Sequence, residues 1–301
     1  MSFRDKTKAI IFVALFLAIF FPQPATFIKD YLIFILIFML SISIRNLGAE
    51  HLNIKKKELV GVLVLVNTFI LSATYIAMSY LLISNELYRN ALIIYSLMPP
   101  AIGIVSLGYI YHVDMKVDLY AEFIGYIVSL GIIPLGTHIF MRTAIAPIDV
   151  LEVIFFLLVI PMILSRIIRR IAIPDNTLKM IISTCFGFVI YTIVGFNLEM
   201  IMENLGDVLN ITILLFILRI ILMIAIFMIA RRYLSHENSV LLTLFGTMKN
   251  GAAATAISLM LLGVESTVPL ALEAIFFALG LFVMDYMFTW SRESQKKKAR
   301  E

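Results

Sequence analysis

Ten long apolar stretches, parted by short polar or basic ones, make up most of the chain: 8–22, 29–47, 58–83, 90–111, 117–141, 150–171, 178–196, 208–230, 239–262 and 267–290. Most reach the length, about 20 residues, that a helix needs to cross the hydrocarbon of a bilayer, and none shows the ten-residue alternation of a membrane β-barrel. The pattern predicts an all-α membrane protein with ten transmembrane helices. The first stretch is short and follows Arg4, Lys6 and Lys8, the outline of a secretory signal. No small-x-small cleavage site stands out over 22–26, and the stretch is read as a retained helix.

Two stretches are interrupted near their middles. In the fourth, Leu97-Met-Pro-Pro-Ala-Ile-Gly103 places Pro99 and Pro100 where the backbone loses two donors and meets a clash with the preceding turn. In the ninth, Phe245-Gly-Thr-Met-Lys-Asn-Gly-Ala252 puts a charge, a small amide and a flexible residue eleven to thirteen positions in. Non-helical backbone at membrane depth is tolerated only inside protein or beside a water-filled cavity. Paired broken helices at matching places in two halves point to a transporter binding site. The alternative for Pro99-Pro100 is a plain kink, since proline is common in membrane helices.

Charge fixes the expected orientation. With the N-terminus inside, nineteen Lys and Arg fall in inner segments, from Arg4 through Lys116 to Arg300, and only Lys29, Arg89 and Arg142 fall outside. Both termini are therefore expected in the cytoplasm of a cell membrane. Ten helices divide into five and five, so two halves, 1–146 and 147–301, are expected in opposite orientations within one transporter domain. The repeat is one of hydropathy and break position rather than residue identity. Lys296-Lys297-Lys298 reads as a topology anchor, with membrane-lipid headgroups as a second partner.

Composition agrees and removes other classes. Of 301 residues 61% are hydrophobic and 15% charged, with a mean hydropathy of +1.01, far from a soluble domain. The net charge of +4 sits in short loops and implies no nucleic acid. Cys185, the single cysteine, excludes an internal disulfide and is read as a small packing residue. There is no HExxH, Gly-x-Ser-x-Gly or Walker loop, and the four histidines, His51, His112, His138 and His236, fall at segment ends. Neither an enzyme, a cofactor nor a metal site is expected.

The candidate chemistry lies at the breaks. A broken helix leaves free carbonyls on its incoming half and free amides on its outgoing half, and the amide end attracts anions. Lys249 at helix centre costs about 2.5–3.5 kcal/mol on insertion scales, which makes it a functional-site candidate. It either binds a substrate anion, carries a proton or replaces a coupling cation, or it statically caps the carbonyl end of its own broken helix. Arg219, as deep in the eighth stretch, needs a partner; Glu122, Glu273 and Asp285 are the choices, and a structural ion pair is the favoured reading. Glu273 and Asp285 are otherwise placed at the interfaces. Asn67 either offers its amide to the site or joins helices. Ser106, Thr247 and Thr255 flank the breaks, where hydroxyls commonly bond back to their own helix.

At these residues the chain resembles the bile acid:sodium symporter family, which is related to the auxin efflux carriers and arsenite permeases. The resemblance runs through Ile37-Phe-Met-Leu-Ser-Ile-Ser43, Val66-Asn-Thr-Phe-Ile-Leu-Ser-Ala-Thr74, Met98-Pro-Pro-Ala-Ile-Gly103 and Ser129-Leu-Gly-Ile-Ile-Pro134. It continues through Gly246-Thr-Met-Lys-Asn-Gly-Ala-Ala253 and Val268-Pro-Leu-Ala-Leu-Glu273. It implies a panel of helices over about 8–47 and 150–196, and a core over about 58–141 and 208–290. The fourth and ninth helices would be unwound and crossed at mid-membrane. It also implies uptake of organic anions with sodium. The breaks and the resemblance together place the expected site at Asn67, Pro99, Pro100, Ala101, Gly103, Ser106, Lys249, Asn250 and Gly251.

The departures concern sodium. Where the family has Pro-Gly-Gly and then Ser-Asn in the fourth helix, this chain has Pro99-Pro100-Ala101 and then Ile104-Val105. The family's ninth-helix Glu and Gln align with Phe245 and Lys249, and its third-helix Gln with Asn67. A hard cation wants several oxygens, so the expectation is secondary transport of a small organic anion, by a monomer or homodimer, with Lys249 in the vacated cation position. Transport is then linked to protons or to no ion. The alternatives are a passive channel or facilitator for a small solute, and a non-transporting membrane scaffold.

Overall fold

The computed structural model describes residues 3–43, 45, 56–101, 103–141, 148, 152 and 155–298. Every regular element among them is helical. We number the helices α1 (Phe3–Phe20), α2 (Gln23–Ser43), α3 (Lys57–Leu82), α4 (Glu86–Leu97), α5 (Gly103–Ile110) and α6 (Met115–Phe140). They continue as α7 (Phe155–Ile168), α8 (Asp175–Glu203), α9 (Leu205–Tyr233), α10 (His236–Thr247), α11 (Gly251–Leu262) and α12 (Val268–Lys298). Of the second, fourth and sixth predicted stretches, residues 44, 46–47, 102, 150–151 and 153–154 lie outside the described residues. So do Lys55, Arg142 and Arg300.

Six stretches of helix among the described residues are long and apolar enough to cross a membrane, those of α2, α3, α6, α8, α9 and α12. Their packing is that of a membrane protein. Phe12, Phe27, Phe34, Leu81 and Ile229 point outward, whereas Asn67, Asp118, Glu122, Arg219, Lys249 and Glu273 are buried, the reverse of the distribution that water imposes.

Local chemistry sets the ends. α2 starts at Gln23, six residues before the predicted stretch, because Pro24 occupies a first-turn position where its missing N–H costs nothing. Asn85 caps α4 by accepting from the Leu87 and Tyr88 amides at 3.0 and 3.3 Å. Asp114 caps α6, and Ser235 caps α10. Gly263, at φ 85°, takes the left-handed turn that ends α11.

The helices pack as two groups. α8 lies against α1 and α2, and α2 against α7. The other group is built by α3 with α4, α6 and α10, by α4 with α6 and α11, and by α9 with α10 and α12. α8 meets α12 where the groups join. Of three π turns among the described residues, one opens α7 (Phe155–Val159); the other two, Val66–Leu71 within α3 and Phe216–Ile221 within α9, widen their helices locally. Such turns frequently mark functional positions, and these two carry Asn67 and Arg219.

Candidate functional site

α4 stops at Leu97 and α5 resumes at Gly103; α10 stops at Thr247 and α11 resumes at Gly251. At about 1.5 Å per residue, helices of eight to twelve residues cover roughly half of a 30 Å hydrocarbon core. The two breaks lie directly against each other. Pro100 and Lys249 form an isolated antiparallel bridge, in which the Asn250 amide donates to the Pro99 carbonyl at 2.9 Å and the Ala101 amide to the Met248 carbonyl at 3.4 Å. Each break thus supplies partners for backbone that the other has freed, as buried peptide groups require.

The remaining carbonyls are taken by side chains. Lys249 Nζ donates to the Met98 carbonyl at 2.9 Å and to Ser72 Oγ at 3.1 Å. It therefore caps the carbonyl end of the other broken helix, not of its own as the static reading of the sequence had it. The carbonyl end of α10 is served from two directions: Arg219 donates to the Thr247 carbonyl, and Asn67 Nδ2 donates to the Phe245 and Met248 carbonyls at 2.7 and 3.0 Å. Asn67 joins helices through this double bond, and it lies outside the residues that line the cavity. At the start of α11, Asn250 Oδ1 accepts from the Ala253 amide at 3.0 Å, while Nδ2 donates to Tyr126 Oη at 3.1 Å.

Arg219 pairs with Glu273, and Tyr95 Oη donates to the same carboxylate oxygen at 2.8 Å. The Phe277 ring lies 5.0 Å beneath the guanidinium. Placing Glu273 at an interface was wrong: it is 3% exposed and sits in the core, because the arginine needs a carboxylate there. Glu122 is not its partner. Asp285 instead accepts from Tyr111 Oη at 3.3 Å.

A cavity of about 100 Å³ opens beside the crossing, between the two helix groups. Ala101, Gly103, Lys249, Asn250, Gly251 and Glu273 supply its floor. Ile11, Met39, Leu107, Ile182, Phe186 and Phe277 are among its apolar walls. Of the residues expected at a site, Ala101, Gly103, Lys249, Asn250 and Gly251 are brought together there. Pro99 and Pro100 stand behind the floor as the bridge, and the Ser106 side chain lies outside the described residues. Thr247 and Thr255 bond back to the carbonyls of Thr243 and Gly251, at 2.7 and 2.9 Å.

Lys249 is the exception in this site. It is 1% exposed, and among the described residues no carboxylate lies within ion-pair distance of it. Two of its three ammonium hydrogens are committed. Among the described residues no group of three or more His, Cys, Asp or Glu is arranged to hold a metal. Asp118, a residue not among those expected at a site, forms with Glu122 and Tyr126 a polar stripe at four-residue spacing on the buried face of α6; that spacing in an apolar helix is its signal in the sequence.

Comparison with known proteins returned neither a matching family model nor a matching curated protein.

Proposed function

We propose that the chain is a carrier for a small organic anion with an apolar body, held at the crossing and exposed in turn to the two sides of the membrane. The observation that carries this reading is the buried, carboxylate-free Lys249 in the floor of an apolar-walled cavity. A buried charge is costly unless it is paired, and an anion arriving beside Lys249 supplies the pair while the walls take up the rest of the molecule. The amide end of α11 adds attraction of the same sign. Arg219 and Glu273 neutralise each other, which leaves Lys249 to set the charge of the site.

In this reading α1, α7 and the two broken helices join the six long ones as ten crossings, arranged as two inverted repeats with both termini cytoplasmic. The matching π turns of the third and eighth crossings, and the matching breaks of the fourth and ninth, favour it. α1, α2, α7 and α8 then form the panel against which the remaining helices move, as in the bile acid:sodium symporter family that the sequence resembles. Sodium has no role here, because Lys249 and Arg219 already occupy the carbonyl ends that would help hold a cation. A passive channel is the second reading.

Counterflow in proteoliposomes separates the two, with benzoate, hexanoate and succinate as labelled probes. A carrier loaded with unlabelled probe accumulates the labelled form transiently, and does so without sodium. Simple equilibration without overshoot would establish a channel, and no flux of any probe would remove the reading.

A further inference from the structure

Behind the crossing, on the side of α6 that packs into the core, Asp118 and Glu122 stand one turn apart, 0% and 2% exposed. Among the described residues neither Asp118 oxygen has a hydrogen-bond partner, nor does Glu122 Oε1. Asp118 lies within electrostatic range of Glu122, and Glu122 within range of Tyr126. From Tyr126 the line reaches the crossing, because Asn250 donates to its hydroxyl. Eight residues of helix, about 12 Å, separate the two ends of this stripe.

We propose that Asp118 and Glu122 are a proton-binding pair that couples proton movement to the carrier. This inference rests on the transport reading for its coupling role, but not for proton binding itself. An ionised carboxylate without a partner in such surroundings costs far more than one that takes up a proton, and two of them side by side add repulsion. A bound proton satisfies both conditions.

Among the described residues no cation pairs with either carboxyl group. The elements packed on this part of α6 are α3, α4 and α5. α3 presents Lys57 and Glu58 at its exposed start, and Lys56 just before it pairs with Asp114 at 3.2 Å. Farther along α3, Tyr75 packs on Tyr95 with ring centroids 5.1 Å apart and Tyr80 donates to the Phe140 carbonyl at 3.4 Å. α4 brings Glu86, Tyr88, Arg89 and Tyr95. Of these, Arg89 donates to the Ile83 carbonyl and Tyr95 is bound to Glu273. α5 brings Tyr109, which is exposed. His112 and Lys116 lie near the start of α6, and Lys249 is held by Met98 and Ser72.

The place is also built to accept a carboxyl group. A Cβ at Gly108 would fall 2.1 Å from Asp118 Oδ2, so α5 approaches the carboxyl closely only because it carries glycine there. α5 turns other residues, Gly103, Leu107 and Ile110, toward the cavity. The same short helix thus walls the solute cavity on one face and seals Asp118 on another. Tyr126, one turn on from Glu122, accepts from Asn250, the cap of α11, which also lines the cavity. Movement of α5 or α11 on solute binding changes the surroundings of the pair, which is what coupling requires.

The proton site is tested directly by infrared pH titration of the purified chain in lipid nanodiscs, comparing wild type with Asp118→Asn, Glu122→Gln and the double variant. The expected result is a protonated-carboxyl stretch present at neutral pH in wild type and lost in the double variant. Its absence from wild type, or its survival in the double variant, overturns the proposal. Thermal unfolding confirms that each near-isosteric variant is folded. In proteoliposomes an inward proton gradient should speed benzoate, hexanoate or succinate uptake several-fold in wild type and not in Glu122→Gln. Wild type with the infrared band but without flux of any probe would defeat the transport reading and leave proton binding standing. Equal stimulation of both proteins would defeat the coupling role.

Discussion

Lys249 Nζ donates to the Met98 carbonyl across 2.9 Å. A cation carried by the second broken helix thus closes the carbonyl end of the first, and the bridge between Pro100 and Lys249 holds the two in register. Capping and charge are separable in this contact. A neutral donor fills the first role, and only an ammonium fills the second.

Lys249→Gln is therefore expected to keep the fold, with a small change in thermal stability, and to weaken binding of organic-anion probes. A hydrogen bond to a charged group contributes about 1.5–3 kcal/mol, which corresponds to a loss of roughly tenfold to a hundredfold in affinity. Isothermal titration with benzoate, hexanoate and succinate measures it. Unchanged affinity for a probe that binds wild type would assign Lys249 to capping alone.

Arg219 and Glu273 supply a second test. Removing one member of a buried pair costs about 3–5 kcal/mol because the other is left charged and alone, whereas replacing both is far milder. Arg219→Gln should lower the unfolding temperature in detergent sharply, and Arg219→Gln with Glu273→Gln should recover most of the loss. Additive losses in the double variant would show that the two side chains act independently.

Close packing of α6 on the crossing gives a third. A Cβ at Gly125 would lie 2.7 and 2.8 Å from two ring carbons of Pro100, and that ring is fixed by the bridge. Gly125→Ala is expected to cost about 1–3 kcal/mol by overpacking. Gly131, in the same helix, has nothing within 4 Å of its Cβ position, and Gly131→Ala should be neutral or stabilising. Equal effects at the two positions would show that contact with Pro100 is not what matters.

The breaks were legible in the sequence because their causes are local. Two prolines, or a charge with Asn-Gly, stop a helix whatever surrounds them, and α4 and α10 end there. Which group answers which carbonyl was not legible. Sequence shows only near neighbours, so the capping alternative for Lys249 pointed to its own helix, while Met98 lies 151 positions away along the chain. Glu273 was misplaced for a related reason: counting residues from a helix end gives its depth in the membrane but not the presence of Arg219 opposite. The π turns carry no sequence mark, since nothing in Val66–Leu71, Phe155–Val159 or Phe216–Ile221 signals a wider turn. The same holds for Asn67, whose two acceptors at Phe245 and Met248 exist only once α10 lies against α3.

The most direct test of the account asks whether the cavity beside the crossing receives solute. Ala274 lines it, and Cys185 in α8 is the single cysteine of the chain. In a Cys185→Ser background, Ala274→Cys should react with a membrane-impermeant thiol reagent in sealed vesicles, and benzoate, hexanoate or succinate should slow that reaction without sodium. A thiol there that stays unreactive from both faces, or reacts at one rate whatever probe is present, would contradict the claim that solutes bind at the crossing.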